Sequence, residues 1–597
     1  MRQLRIVGYT LLAIASVWGA TKTWAAEETI PGDRRLPPEI VGYLRISSIQ
    51  DLKQKWGETA LGELGKLKEM GAFWQELRGP LETLSEQVEN QLGLTLTDVL
   101  SIPQGEFTLA VIQPRGQRIA VAALLDFGEN RDAVQKLLAK ADEAALDEGA
   151  KRSEVEFEGA NIVVYSQTLN PEGAPAPRTA EPVTVAHCIK DTFLLIGSRA
   201  DTLKSILTRW DGTHDQTFAE QKVYSYIRNQ CRDPQSDAEP PLVWFVDPVG
   251  IAQGFIASAG ANPQAAMVMA FIPTLGLDKF KGIGGTLELA TEEFDSVSRT
   301  LVYMEPRPTG VLKFLQFQAS PQSPPKWASA EASTYFSINW DVVQAYAAVD
   351  SLYDMAAGAG AFSRMIDELA EDEEGPQVHI KNDIVDQLTG TIQVVGEPGG
   401  KEEDAERFIV ALELKDEGKM GEILASLAKT PGFPGKPREF EGTTIYEIAA
   451  LGADDAEEED EEGAEEENAE AGDATVGAVA IHGKQLLIAT DVTRLEEVIR
   501  PNAGNALVDS PMYQSVARQF PAQTSSISFQ RADLQLKALY ETFQSGNSED
   551  LFGLDIDFSQ LPPFEVIRPF LTPSGSYMRP DERGLFLNSF SLHRADK

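Results

Sequence analysis

The chain has 597 residues, 42% of them hydrophobic, which is length enough for two or more full cores. Its formal net charge is −40, from 52 basic and 92 acidic residues. Such a field argues against nucleic acid and against anionic membrane surfaces as partners, because both would repel it.

Arg2 and Arg5 open the chain, and Ile6 to Ala20 is almost uninterruptedly apolar. "TKTWAAEE" follows, with Thr23 and Ala25 at the small-residue positions before a cut after Ala25. This is the pattern of a cleaved secretory signal peptide over residues 1–25, so the mature protein is expected in the periplasm or outside the cell. No cysteine near the cut points to a lipoprotein anchor, and no later run reaches the roughly 18 apolar residues of a membrane span. The mature chain is therefore read as having no integral membrane segment.

"GYLRIS" (Gly42 to Ser47) reads as a first strand, and a helical insert starting at Thr59 follows it. "EFTLAVI" and "RIAVAALLDF" are β-branched, apolar runs of strand length. Val134, Leu137, Leu138 and Ala141 then fall on one helix face. Strands are predicted at Ile162 to Ser166, Val183 to Lys190 and Phe193 to Ser198, the last two joined by a tight turn. A closing helix carries Leu203, Ile206, Leu207 and Trp210 on one face. The segment Ala265 to Leu277, with Pro273 inside it, reads as a core helix; its wider stretch from Gly254 fits either packing between halves or the wall of a ligand groove.

The same phrases then recur in the same order. "GYLRIS" is answered by "TYFSIN" (Thr334 to Asn339), and Gly105 by Gly390. Phe157-Glu158-Gly159 is answered by Phe440-Glu441-Gly442, and "IKDTFLLIGSRADTLKSIL" by "IHGKQLLIATDVTRLEEVI". The second closing helix is read as starting with a capping box, Thr493 and Glu496. A repeat this long and collinear predicts two tandem homologous halves, residues 26–320 and 321–597. Each is expected to be an α+β domain: a largely antiparallel sheet, helices on one face and a helical insert. At one equivalent point the first half has the Pro-rich run Asn170 to Pro182, and the second a run at 453–473 with 13 acidic residues from Asp454 on. The acidic loop is expected to be disordered, since it has too little apolar surface to offset its ordering entropy.

Chemistry leaves few traces. The only cysteines are Cys188 and Cys231, both in the first half. They are read either as a disulfide or as two buried thiols, and the fold cannot depend on a bridge that the second half lacks. His187, His214, His379, His482 and His593 are scattered, with no metal-ligand spacing. Nucleophile and phosphate-loop motifs are absent from the sequence, and no catalytic, metal or cofactor residues are assigned.

The signal peptide, the helical insert and the paired "GEFTLAVI … FEGANIVVY … DTFLLIGSRADTLKSIL" units resemble large exported bacterial proteins of unknown function, common in planctomycetes. Leu194 to Leu207 and Leu486 to Ile499 carry the shared phrase, which is a packing pattern and implies no catalytic residues. The expectation is an exported, non-enzymatic protein that binds a protein partner or a hydrophobic ligand. The alternative is an exported hydrolase with a site between the halves.

Overall fold

The computed structural model describes residues 30–76, 99, 101–113, 118–167, 183–236, 238–258, 263–372, 375–399, 406–430, 433, 435–448, 477–500, 505–544 and 557–595. The expected signal peptide over residues 1–25, the Pro-rich run and the acidic run at 453–473 lie outside these residues.

Among the described residues, twenty strands form one continuous antiparallel sheet within a mixed α+β fold. From one edge it runs β4 (Lys151–Phe157), β5 (Ala160–Gln167), β6 (Val183–Lys190), β7 (Phe193–Gly197) and β3 (Ala120–Asp126). It continues through β2 (Phe107–Ile112), β1 (Ile40–Ile46), β8 (Leu242–Val246), β9 (Phe280–Leu289) and β10 (Ser296–Met304). There β10 pairs with β20 (Gly584–Ser591), Thr300 opposite Leu587. Beyond lie β19 (Ser574–Asp581), β18 (Ser526–Gln530), β11 (Thr334–Asn339), β12 (Leu388–Glu397) and β13 (Arg407–Leu414). The far edge is β17 (Gln485–Ala489), β16 (Gly477–His482), β15 (Thr443–Ile448) and β14 (Gly435–Phe440). Read outward from the β10–β20 junction, the two runs of strands follow the same order.

The turns match as well. Glu158 and Gly159, between β4 and β5, both have positive φ (46° and 71°), and so do Glu441 and Gly442 between β14 and β15 (47° and 78°). Two successive left-handed residues make the turn whose twist suits a two-residue hairpin, and glycine takes the second position without strain.

Helices cover both faces of the sheet, which corrects the expectation of helices on one face. Adjacent residues of β7 show why. Leu195 packs with Leu203 and Ile206 of the helix Ala200–Leu207, while Leu194 points the other way and packs with Val134 of the helix Arg131–Asp147. The strand is apolar on successive residues because each face has its own helix. The helix Val492–Ile499 is capped by Asp491, whose carboxylate accepts from the Thr493 N–H, so the predicted Thr493–Glu496 capping box is not the one used.

The largest core holds Tyr43, Phe218, Tyr224 and Phe245 together with both cysteines. Inside it the buried Arg45 guanidinium donates to Glu106 Oε2 at 2.8 Å, and Thr108 donates to the other carboxylate oxygen. Asp33 accepts from Tyr224 (2.9 Å) and Arg228 (2.8 Å). On the other side of the sheet's midline Arg494 pairs with Glu397 at 2.6 Å, also buried.

Candidate apolar binding face

The histidines and thiols stand apart from one another. His187 is stacked on Tyr165 (centroids 5.8 Å apart), and burial pushes its pKa down. Its neighbour Cys188 faces the opposite side, in the core. Cys188 and Cys231 are both free and buried, and burial pushes both thiols up to about 12. In this structure the two cysteines stand as separate thiols. His214 accepts from the Gln216 N–H, His379 lies 3.4 Å from Asp367, His482 lies 3.3 Å from the Thr443 hydroxyl, and His593 meets the Thr291 carbonyl. Among the described residues no three His, Cys, Asp or Glu side chains are grouped to hold a metal.

A half-open cleft of about 490 Å³ is lined by Arg34, His214, Thr217, Glu220, Ser225 and Arg228 among others. Its walls mix both signs of charge, and its best-placed cation, Arg228, is already engaged by Asp33. It is a polar dent in the surface, with no hydroxyl bonded to its histidine.

The feature that the sheet builds deliberately is apolar. On one face of the second run of strands, Phe336 of β11 stands opposite Val394 of β12, Val394 opposite Val410 of β13, and Val410 opposite Ile488 of β17. Val479 of β16 continues the row. A second row, two residues along, is Ile338, Ile392, Leu412 and Leu486. With strands about 4.8 Å apart, the four-strand stripe is roughly 14 Å wide. Phe336 is 37% and Ile488 41% exposed, against 0% and 4% for their strand neighbours Tyr335 and Ala489, which face the core.

Among the described residues, the helix at the matching place differs in length between the two runs of strands. In the first run of strands the helix Arg131–Asp147 has 17 residues, and Ile196 packs against the cluster it makes with Phe127 and Leu194. The helix at the matching place in the second run, Glu417–Leu427, has only 11, and Ile488 stays exposed. Along the other side of the stripe, the 3₁₀ segment Gly310–Leu315 packs over Ile338 and carries the helix Val342–Ala357. That helix and its successor Ala361–Glu371 carry exposed Val349, Tyr353, Met365 and Leu369. The row from Phe336 to Ile488 is uncharged and suited to contact with hydrocarbon.

Sequence reasoning placed these strands but missed the stripe. "FIVALEL" and "KQLLIAT" look like strands buried on both faces, because a run of apolar residues does not say whether the second face has a cover. The one signal was Phe336, a second aromatic directly after Tyr335 in a strand that otherwise alternates. Comparison with known protein families, with curated proteins and with solved structures finds no match to this chain.

Proposed function

We propose that this is an exported, non-enzymatic binding protein made of two homologous α+β halves, and that the bare stripe of the second half holds the apolar portion of a ligand. The observation that carries the reading is the row Phe336–Val394–Val410–Ile488, an apolar sheet face exposed at Phe336 and Ile488, with a shorter helix at the matching place among the described residues. The strand order repeated outward from β10–β20, the paired Glu-Gly turns and the collinear phrases support descent of the halves from one unit. The n-region, apolar run and small-residue cut at residues 1–25 support export. An acyl chain is the favoured ligand class, because the row Phe336–Val394–Val410–Ile488 is continuous and uncharged and is exposed at Phe336 and Ile488.

Titration with a fluorescent sixteen-carbon acyl probe tests this. Burying a Phe or Ile side chain is worth about 1.5–3 kcal/mol. Phe336→Asp with Ile488→Asp should therefore weaken binding at least tenfold while leaving the melting temperature within a few degrees. Saturable binding that the double variant leaves unchanged would refute the placement of the site, and no saturable binding by the wild type would refute the ligand class.

A further inference from the structure

We propose that the outer edge of β4 pairs with β4 of a second copy of this chain, antiparallel across a two-fold axis at Ser153, joining two sheets edge to edge. This inference is independent of the ligand stripe, which lies in the other run of strands. Among the described residues β4 is the last strand of the sheet and bonds only to β5. It is seven residues long, in unbroken register and without proline, and Lys151, Arg152, Ser153, Glu154 and Glu156 are exposed. Phe157 and Ala160 close a two-residue hairpin, so they form a hydrogen-bonded pair, and such pairs alternate along the ladder. The backbone N–H and C=O groups of Lys151, Ser153, Val155 and Phe157 therefore face β5. Those of Arg152, Glu154 and Glu156 face outward, a template for another strand.

The opposite end of the sheet shows how this fold closes an edge. Matching the two Phe-Glu-Gly turns puts Pro437 of β14 at the place of Glu154. Pro437 lies three residues before the closing Phe440, at an outward position, so it removes an N–H from the free edge and none from the ladder to β15. Proline on an edge strand guards against pairing with another chain. The edge strand β14 has that guard and β4 lacks it. An open row of copies joined β4 to β14 would meet the proline at every joint, which leaves the closed pairing of β4 with β4.

Charge selects both the occupant and the register. Arg152 and Glu154 lie on one face of β4, and Arg152 reaches Glu154 at 2.6 Å and Asp142 of the helix Arg131–Asp147 at 2.9 Å. With the axis at Ser153, Arg152 of each copy stands opposite Glu154 of the other, and four charges alternate in sign around the axis. Shifting the register by two residues sets Arg152 opposite Arg152, or Glu154 opposite Glu154, which is destabilising. A foreign strand would have to bring the same alternation, whereas a second copy carries it. Repulsion between two chains of net charge −40 is screened beyond about 8 Å at physiological salt. A seven-residue ladder is small beside a standard interface of about 1,200–2,000 Å², so the pair is weak and concentration-dependent.

The test is sedimentation velocity of the chain from residue 26 onward, from about 1 to 200 µM at about 0.15 M salt, where the dimer fraction should rise with concentration. Arg152→Glu and Glu154→Arg should each weaken dimerisation at least tenfold, and an equimolar mixture of the two variants should restore it, because every Glu then faces an Arg. Glu154→Pro should abolish the dimer and leave the melting temperature within a few degrees, since the matching strand accommodates Pro437. Ser153→Cys should cross-link on mild oxidation, its two Cα atoms standing about 4.5 Å apart across the axis. Glu156→Cys, about 20 Å from its mate, should not. The native cysteines are buried and do not compete. A wild type that stays monomeric at every concentration would overturn the proposal, as would a dimer that Glu154→Pro leaves intact. So would a variant mixture that stays monomeric, or a Glu156→Cys variant that cross-links as readily as Ser153→Cys.

Discussion

At the scale of single residues, the two thiols and the buried ion pair make separate demands on stability. Cys188 and Cys231 hold their protons to about pH 12 in the folded chain, because burial disfavours the thiolate. Unfolded, they release them near 9, so their contribution is complete below pH 9 and is lost as pH rises toward 12. Between pH 9 and 10 the pair should cost on the order of 1–2 kcal/mol of stability, and replacing both cysteines by alanine should flatten that slope in urea titrations. A thiol reagent at pH 8 should find no reactive cysteine in the native protein and two after unfolding. Zero after unfolding would reveal a disulfide instead. Glu106 is the counterpart test for charge. Its side chain is 1% exposed and Arg45 is 7% exposed, so Glu106→Ala strands a buried guanidinium and should cost about 3–5 kcal/mol by denaturant unfolding. Replacing both partners by apolar residues of similar size should recover most of that loss.

At the scale of elements, the hairpin turns are the clearest meeting of sequence and structure. Gly159 and Gly442 both sit at positive φ in equivalent turns, so Gly159→Ala and Gly442→Ala should each destabilise by about 1 kcal/mol, and by similar amounts. A loss at one site alone, read by thermal melting, would separate the two turns. These turns were legible because the Phe-Glu-Gly phrase encodes a backbone requirement. Strands such as Val183–Lys190 and Thr334–Asn339 were legible to the residue, since β-branched and apolar runs between turn residues state them directly. Which face of a strand has a cover was not legible. Leu194 and Leu195 are chemically alike, and only the placement of helices from elsewhere in the chain distinguishes their surroundings. The exposure of Phe255, Met267 and Phe271 was hidden for the same reason. All-round apolar helices read as core, and the charge-free composition does not say which side meets protein.

At the scale of the molecule, the β10–β20 pairing joins the two runs of strands into one sheet, a link between residues nearly half the chain apart that no local pattern could announce. Splitting the chain at residue 320 would leave each part with a long unpaired edge, the usual template for aggregation. Residues 26–320 and 321–597 should therefore be poorly soluble when expressed apart and should co-elute as one complex when expressed together. Two soluble, non-interacting fragments on size exclusion would show that the junction is dispensable. The two runs of strands differ in their helices: Arg131–Asp147 has 17 residues and Glu417–Leu427 has 11, and Ile488 is exposed. The most direct measurement is photolabelling with a diazirine-bearing sixteen-carbon acyl chain, followed by peptide mapping of the cross-links. Ligand held on the bare stripe predicts labels on peptides containing Phe336, Val394, Val410 and Ile488, all competed away by unlabelled acyl chain. Competed labels confined to the cleft around His214 and Arg228, or no competed label anywhere, would contradict it.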